Sequence, residues 1–169
     1  GFTRARQRAG RTLYYQVETL IFGLAIERAL RPERYIIGCA DPAQPLPQAY
    51  QSFLAAGNCP VMRMRFESAE LAKISINVCL AASLSATNTL AELCEKIGAD
   101  WQEIVPALRL DRRIGPHAYI AAGLGIGGGN IERDLGTVMR IADEQSTDAT
   151  VVRGFLSNSE YRKGWAARS

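Results

Sequence analysis

The sequence contains few of the residues that metal centres and nucleophilic triads need. Its one histidine is His117, and its four cysteines, at positions 39, 59, 79 and 94, form no Cys-x-x-Cys pair. Because no cysteine–histidine ligand spacing is present, we expect no metal site and no histidine-based catalytic triad. Cys79 and Cys94 fall within an apolar helical pattern, which predicts that both are buried as small hydrophobic side chains.

A strong excess of charge and long apolar runs are also missing. The net charge is +3 and charged residues make up 22% of the 169 residues, which is too little to indicate a nucleic-acid partner. No window reaches the roughly 18 apolar residues of a membrane span. The basic amino terminus is not followed by the apolar stretch and cleavage site of a secretory signal. These absences favour a cytoplasmic globular protein that binds neither nucleic acid nor membrane.

Hydrophobic periodicity predicts a first part of the chain in which short strands and helices alternate. We expect strands at 12–17, 34–38 and 61–65, and helices at 20–30 and from 48 to about 56. This order is typical of one edge of an α/β sheet.

The second part of the chain has a helical pattern. Apolar residues at helical spacing from Ser68 to Ile97, with no proline or glycine before Gly98, predict one long helix that ends at this glycine. Asp100 begins a capping-box-like start of a second helix. Further helices are predicted at about 131–143 and in the tail 151–169.

Four segments, at 68–77, 93–100, 111–115 and 123–134, carry a family resemblance. In this order and at nearly this spacing, they resemble the central region of the UDP-glucose/GDP-mannose dehydrogenase family. The nucleophilic cysteine of that family lies in a Gly-Gly-x-Cys-x-x-Lys-Asp motif. The corresponding run here is Gly127-Gly-Gly-Asn-Ile-Glu-Arg-Asp134, so that Asn130 occupies the position of the cysteine.

The resemblance implies an α+β fold. A remnant of an α/β Rossmann-like sheet would be followed by an all-α dimerisation domain, like that of 6-phosphogluconate dehydrogenase, with one long helix. Residues 1–66 would be the carboxy-terminal part of an incomplete NAD-binding domain, and residues 67–169 the helical central domain. The glycine-turn half of the family and its carboxy-terminal nucleotide-binding domain have no counterpart in the sequence. We therefore expect a part of a longer protein or a reduced relative, forming a homodimer through the long helix.

Lys73 and Asn77 are four residues apart on the predicted long helix, so they project from one face. An ammonium and an amide placed in this way can hold a developing oxyanion and an ordered water, although a surface lysine beside a polar residue is the simpler interpretation. The resemblance implies the active-site role, because Lys-x-x-x-Asn is the pattern of the family on this helix. Asp134 matches the aspartate of the family motif. We expect it in the first turn of its helix, where the dipole favours a carboxylate with or without a catalytic role.

The glycine run at 123–129 allows backbone amides to approach a ligand closely. The resemblance implies that Gly125, Gly127 and Gly128 bind the sugar. Gly-x-Gly-x-x-Gly at 123, 125 and 128 is also formally a dinucleotide fingerprint, but no convincing strand precedes it.

Further upstream, residues 16–23 align loosely with the Asn-Pro-Glu-Phe-Leu-x-Glu-Gly motif of the family. This alignment implies that Glu18 is the general base and that Thr19 and Leu20 bind substrate. Phe22 replaces the second glutamate of the motif. A solvated glutamate at the end of a strand is the alternative for Glu18.

Arg113 matches the arginine of the family that reaches the sugar, in many members across the dimer interface. A salt bridge to Asp111 within the loop is the alternative. His117 falls in a loop that is about one residue longer than in common members, and we expect it to be a surface histidine.

Members of the family oxidise the C6 alcohol of a UDP- or GDP-sugar twice with NAD, and the second oxidation passes through a cysteine thioester. Asparagine is not a nucleophile at neutral pH, so Asn130 cannot supply that step. The resemblance therefore implies a nucleotide-sugar dehydrogenase-like oxidoreductase of polysaccharide biosynthesis that lacks the thioester route. The alternatives are a non-catalytic nucleotide-sugar-binding or oligomerisation module, and an oxidoreductase of the wider superfamily that acts on another hydroxy substrate.

Overall fold

A computed structural model describes residues 2–19, 21 and 23–168. Contacts divide the chain into two compact units, Gly1–Lys73 and Ile74–Ser169. The first unit contains a three-stranded sheet, and the described residues of the second are helical or lie in loops. The fold is thus α+β with one long helix, as the sequence predicts.

The elements have the following bounds. The strands are β1 (Tyr15–Gln16), β2 (Tyr35–Cys39) and β3 (Val61–Arg65). The helices are α1 (Ala25–Leu30), α2 (Gln48–Ala55), α3 (Phe66–Ile97), α4 (Trp101–Leu110), α5 (Gly129–Glu144), α6 (Thr150–Lys163) and α7 (Trp165–Arg168).

The strand predicted at 12–17 is only two residues long. β1 pairs antiparallel with β2, with Tyr15 opposite Gly38, so residues 12 and 13 would fall beyond the end of β2 and have no partner strand. The helix predicted at 20–30 begins at Ala25, because Gly23 has a φ of 83° that a right-handed helix does not allow. Leu20 and Phe22 lie outside the described residues.

β2 is the central strand of the sheet and is buried on both faces. β3 pairs with it in parallel, from Tyr35 opposite Val61 to Cys39 opposite Arg65. Successive residues of a strand point to opposite faces. Accordingly, Ile36 packs against Val17 and Ala69, whereas Ile37 packs against Leu46 and Leu54.

The first turns of α3 pack closely on this sheet. A Cβ added at Gly38 would lie 2.9 Å from the Cβ of Ala69, so only glycine permits this approach of the helix to β2. The same end of α3 receives the amino-terminal segment, in which Arg4 pairs with Glu67.

In the second unit, α3 is the helix around which the others are packed. One apolar cluster joins it to α5 and α6 and contains Ala81, Leu84, Ile126, Leu135 and Val152. Another joins its carboxy-terminal turns to α4 and the following loop, and contains Ala91, Cys94, Trp101 and Ile120.

The predicted boundary between α3 and α4 is confirmed. Gly98 follows α3 with a φ of 77°, which favours glycine, and the Asp100 side chain accepts a hydrogen bond of 2.8 Å from the Gln102 amide. α4 continues through Pro106 to Leu110.

The expectation for the two cysteines of α3 is half wrong. Cys94 is buried in the cluster with Trp101, but Cys79 is exposed. Exposed residues recur three, four or seven positions apart along one side of the helix, and Cys79 belongs to this series. We call this side the outer face of α3; it comprises Cys79, Ala86, Leu90, Leu93 and Ile97. A helical pattern cannot reveal which apolar side is covered when more than one side is apolar.

The expectation that no window resembles a membrane span is also wrong. α3 is long and apolar enough to cross a membrane by length and composition alone. The core helix of a soluble protein meets the same criteria, and α3 contributes to the apolar clusters shared with α4, α5 and α6, although only 28% of its most apolar window is buried. Its length and composition are therefore weak evidence for a span.

Candidate functional site

A buried carboxylate and an amide meet between α3 and α5 in the second unit. The Asn77 Nδ2 donates a hydrogen bond of 2.6 Å to Oδ2 of Asp134, whose residue is only 5% exposed. Oδ1 of Asp134 lies 3.7 Å from Nε of the exposed Arg133. The structure thus brings together two of the residues that the sequence predicts for the site, and it orients the carboxylate through a neighbouring side chain.

The predicted location of Asp134 within its helix is wrong. α5 begins at Gly129, two residues earlier than expected, so the acidic residue of its first turn is Glu132 and Asp134 lies in the second turn. The influence of the helix dipole falls off within the first turn. The hydrogen bond from Asn77 is a contact of this carboxylate that does not depend on the helix terminus.

Lys73 lies one turn before Asn77 on α3 and is half-buried. The two residues share a face of this helix, as their spacing predicts. Lys73 is the last residue of the first unit, whereas Asp134 belongs to the second. The convergence of the lysine with the aspartate stays a prediction.

The glycine-rich run at 123–129, which we call the glycine segment, has a part that is held by packing and a part that is open. Gly125 has a φ of 93°, and a Cβ at this position would lie 2.7 Å from the carbonyl oxygen of Ser159. A Cβ at Gly127 or Gly129 would meet nothing within 4 Å. Packing requires the glycine at 125, but the two later glycines leave space that a ligand can use.

The anchors of this segment were missed by sequence analysis. Asn88 accepts a hydrogen bond of 2.8 Å from the Gly123 amide, Ser159 accepts one of 2.9 Å from the Ile126 amide, and Arg162 donates one of 2.9 Å to the Gly123 carbonyl. All three side chains belong to buried residues. One feature of the sequence does indicate a buried Asn88, because this residue lies between the apolar residues Leu84 and Ala91 on one side of α3.

The structure does not support the dinucleotide-fingerprint interpretation of this segment. A loop, not a strand, precedes it, and the part of the second unit that the structure describes has no strand at all. The segment instead leads directly into α5. Asn130 lies in the first turn of this helix and is exposed.

Glu18 and Thr19 lie in the first unit, just after β1. They line a cleft of about 200 Å³ together with Arg28, Arg34 and Phe53. Glu18 itself is exposed. Leu20, the third residue predicted there, lies outside the described residues.

Arg113 forms the loop salt bridge that the sequence offered as an alternative. Its Nη2 lies 2.6 Å from Oδ2 of Asp111 and its Nε 3.0 Å from Oδ1, and the arginine side chain is 89% exposed. This pairing lowers the pKa of Asp111 and raises the pKa of Arg113. The contact of Arg113 with a sugar stays a prediction. His117 lies on the same loop and is exposed.

Comparison with known proteins identifies the family to which the chain belongs. The model of the UDP-glucose/GDP-mannose dehydrogenase family, central domain, matches residues 67–159, which include both Asn77 and Asp134. The chain belongs to this family of nucleotide-sugar dehydrogenases.

Individual relatives agree with this assignment. The chain is 32% identical to the UDP-glucose 6-dehydrogenase of Pseudomonas aeruginosa over 96% of its own length and 36% of the relative. It is 32% identical to that of Haloferax volcanii over 80% of its length and 32% of the relative. The chain thus spans about a third of the length of these curated relatives.

Solved structures show the same fold. A UDP-glucose dehydrogenase from Pyrobaculum islandicum superposes with a TM-score of 0.78 at 31% identity, covering 89% of this chain and 34% of that one. A UDP-D-ManNAc dehydrogenase from Pyrococcus horikoshii superposes with a TM-score of 0.79 at 17% identity, covering 99% of this chain and 41% of that one.

Proposed function

We propose that the protein oxidises the C6 alcohol of a UDP- or GDP-linked sugar, with NAD as the hydride acceptor. The observation that carries this proposal is the buried Asp134 carboxylate held by Asn77 within the region that matches the family. A carboxylate kept out of bulk water with a defined orientation is suited to proton transfer.

Each residue of the site has a role in the first oxidation. The carboxylate of Asp134 holds the water that takes the proton of the alcohol, and Asn77 keeps this carboxylate in place. The ammonium of Lys73, one turn away on the same face of α3, stabilises the alkoxide as it forms. Glu18 and Arg113 are further candidates, as general base and as sugar ligand.

The residues described here do not fit the pyrophosphate of NAD. In the described ranges, no glycine-rich turn connects a strand to a helix, which is the arrangement that binds a dinucleotide. We therefore place the hydride acceptor outside these residues. The chain contributes the proton-handling part of the site.

Asn130 limits what the site can do next. The second oxidation in the family needs a thiolate at this position, and an amide nitrogen does not add to an aldehyde under the same conditions. We propose that the thioester route is absent and that oxidation stops at the aldehyde.

The second candidate is a non-catalytic module that binds a nucleotide sugar or mediates oligomerisation. Asn130 favours it, and so do the open positions of Gly127 and Gly129, which suit ligand binding without chemistry. The apolar outer face of α3 suits a homodimer. Either candidate agrees with a cytoplasmic location and with no nucleic-acid or membrane partner.

The test incubates the protein in its full natural length with NAD and with UDP-glucose or GDP-mannose, counts NADH per sugar and identifies the product. We expect one NADH, an aldehyde and no loss of activity with iodoacetamide, and D134N as the control should turn over roughly 10²–10⁴-fold more slowly. Binding of the nucleotide sugar without NADH would favour the module. Two NADH, a carboxylate product and inactivation by iodoacetamide would show that the nucleophile is elsewhere.

A further inference from the structure

The buried arginine of α6 has an unusual set of partners. Arg162 is 5% exposed, and its Nε donates to the Gly123 carbonyl at 2.9 Å. Its Nη1 donates to Oε2 of Glu92 at 3.3 Å, and its Nη2 lies 3.6 Å from Oε1 of Glu95. Two carboxylates of α3 thus neutralise a charge that would otherwise be costly to bury.

The guanidinium group is fixed in orientation as well as neutralised. The Cζ atom of Arg162 lies 5.1 Å from the centre of the Trp165 ring. Because a guanidinium is a planar fork with donors in fixed directions, holding two of its nitrogens near Glu92 and Glu95 determines where the third points. That third nitrogen binds the carbonyl of Gly123.

We propose that Arg162 and Ser159 are positioning residues that hold the glycine segment in the conformation that binds the nucleotide sugar. This inference rests on the proposed function for its ligand, but the anchoring itself stands on the contacts of the second unit. Neither residue needs to touch the substrate.

Ser159 supplies the second half of the anchor, one turn before Arg162 on α6. Its hydroxyl oxygen accepts from the Ile126 amide at 2.9 Å, and its backbone carbonyl fills the space where a Cβ of residue 125 would lie. Asn88 and Arg162 engage the two backbone polar groups of Gly123. The segment is therefore fixed at Gly123 and at Ile126, and the side chain of Ile126 is buried in the apolar cluster that joins α3, α5 and α6.

The contacts of Ser159 and Arg162 also restrict the backbone of the open positions Gly127 and Gly129. Only two residues separate Ile126 from the start of α5 at Gly129. A glycine-rich segment has a large conformational freedom that ligand binding would otherwise have to remove. Pre-ordering this segment lowers that cost. Loss of the anchor should consequently weaken binding of the nucleotide sugar more than it affects the use of NAD.

A purely structural role makes a different prediction. If Arg162 only joins α6 to α3 through Glu92, its replacement lowers stability but leaves the affinity for the sugar nucleotide unchanged. The discriminating quantities are amide hydrogen exchange in 120–128, the Kd for UDP-glucose by calorimetry, and the KM values for the two substrates measured separately.

The variants are R162K, which keeps the charge but loses the fork, and S159A, which removes only the hydroxyl. The control is R153Q on the same helix, because Arg153 pairs with Asp143 and has no contact with the glycine segment among the hydrogen bonds of the described residues. We expect faster exchange of the Ile126 amide in S159A and of the segment in R162K. We also expect a Kd for UDP-glucose raised about tenfold, an unchanged KM for NAD and parent-like values in R153Q.

Two results would overturn the proposal. One is unchanged amide exchange in both folded variants, and the other is faster exchange with an unchanged Kd. Failure of the proposed function is distinguishable, because the parent protein would then bind neither UDP-glucose nor GDP-mannose, while the exchange comparison would still decide whether the anchor exists. The melting temperatures of the variants show whether each is folded.

Discussion

The side-chain amide of Asn77 is joined to the carboxylate of Asp134 by a 2.6 Å hydrogen bond that links α3 to α5. The bond connects residues 57 positions apart in the sequence and satisfies a carboxylate that is almost fully buried. Structure and proposed chemistry therefore depend on the same contact.

Replacing Asn77 should mainly lower the free energy of unfolding, whereas replacing Asp134 should mainly lower turnover. N77A removes a donor to a buried carboxylate and should lower the free energy of unfolding by about 1–3 kcal/mol. D134N keeps the shape but loses the carboxylate that holds the proton-accepting water, so it should lower turnover by roughly 10²–10⁴-fold with a smaller effect on stability. Urea unfolding and NADH production measure the two effects. Full activity in D134N would remove Asp134 from the mechanism.

Asn130→Cys should restore the missing nucleophile position. In the parent protein, iodoacetamide should cause no loss of turnover, because none of the four cysteines lies at the motif position. In N130C we expect the NADH count per sugar to rise from one towards two and activity to become sensitive to iodoacetamide. C79S in both backgrounds is the control. An unchanged NADH count would mean that a thiol at this position is insufficient.

The two glycines at 125 and 127 should respond oppositely to alanine. G125A combines a φ of 93° with a Cβ 2.7 Å from the Ser159 carbonyl, so it should lower stability by about 1–3 kcal/mol or more. G127A meets no atom and has no left-handed φ, so it should leave stability unchanged or raise it by about 0.4–1 kcal/mol. Its Cβ should nevertheless weaken UDP-glucose binding. Thermal melts and calorimetry test both, and equal melting temperatures would contradict the packing argument.

The outer face of α3 should be a dimer interface. Leu90, Leu93 and Ile97 are 46%, 51% and 68% exposed, and adjacent apolar side chains of this kind mark interaction surfaces. L93K should shift the protein towards monomer in sedimentation experiments, since it would bury a charge in the interface. L110K is the matched control, because Leu110 is an exposed leucine of α4 and does not belong to this face. A parent protein that is monomeric at micromolar concentration would disprove the interface.

Acid should weaken the attachment of the amino-terminal segment. A hydrogen bond from Arg4 lowers the pKa of Glu67 from 4.5 to about 2. Because this pKa is depressed in the folded state, the contribution to stability is present above pH 4.5 and is lost as the pH falls towards 2. Both side chains are exposed, so the effect should be small. The melting temperature of R4Q should fall less steeply than that of the parent between these pH values, and parallel curves would contradict this coupling.

The sequence predicts well those helices and strands whose bounds are set by neighbouring residues. The long helix was placed to within two residues at its start and correctly at its end, because its apolar spacing is uninterrupted until Gly98. β1 was overestimated, since its length depends on where β2 ends. The family motif identified Asn77 and Asp134, but not the contact between them.

The anchors of the glycine segment could not be predicted from the sequence. Asn88, Ser159 and Arg162 reach their backbone partners across 35, 33 and 39 residues. Serine and arginine on a helix with exposed neighbours have no local feature that distinguishes a buried contact from a solvated one. Such contacts become visible only when the packing of α3, α6 and the loop is known.

The anchors also divide the connection between α4 and α5 into two parts that tolerate changes of length unequally. A residue added between Leu110 and Gly123 can be accommodated as a longer surface loop. A residue added between Ile126 and Gly129 would extend a two-residue link or move α5 by one position, which turns a helix by about 100° and would carry Asp134 away from Asn77. Insertions and deletions among relatives should therefore collect before Gly123, and the spacing from Ile126 to Asp134 should stay constant.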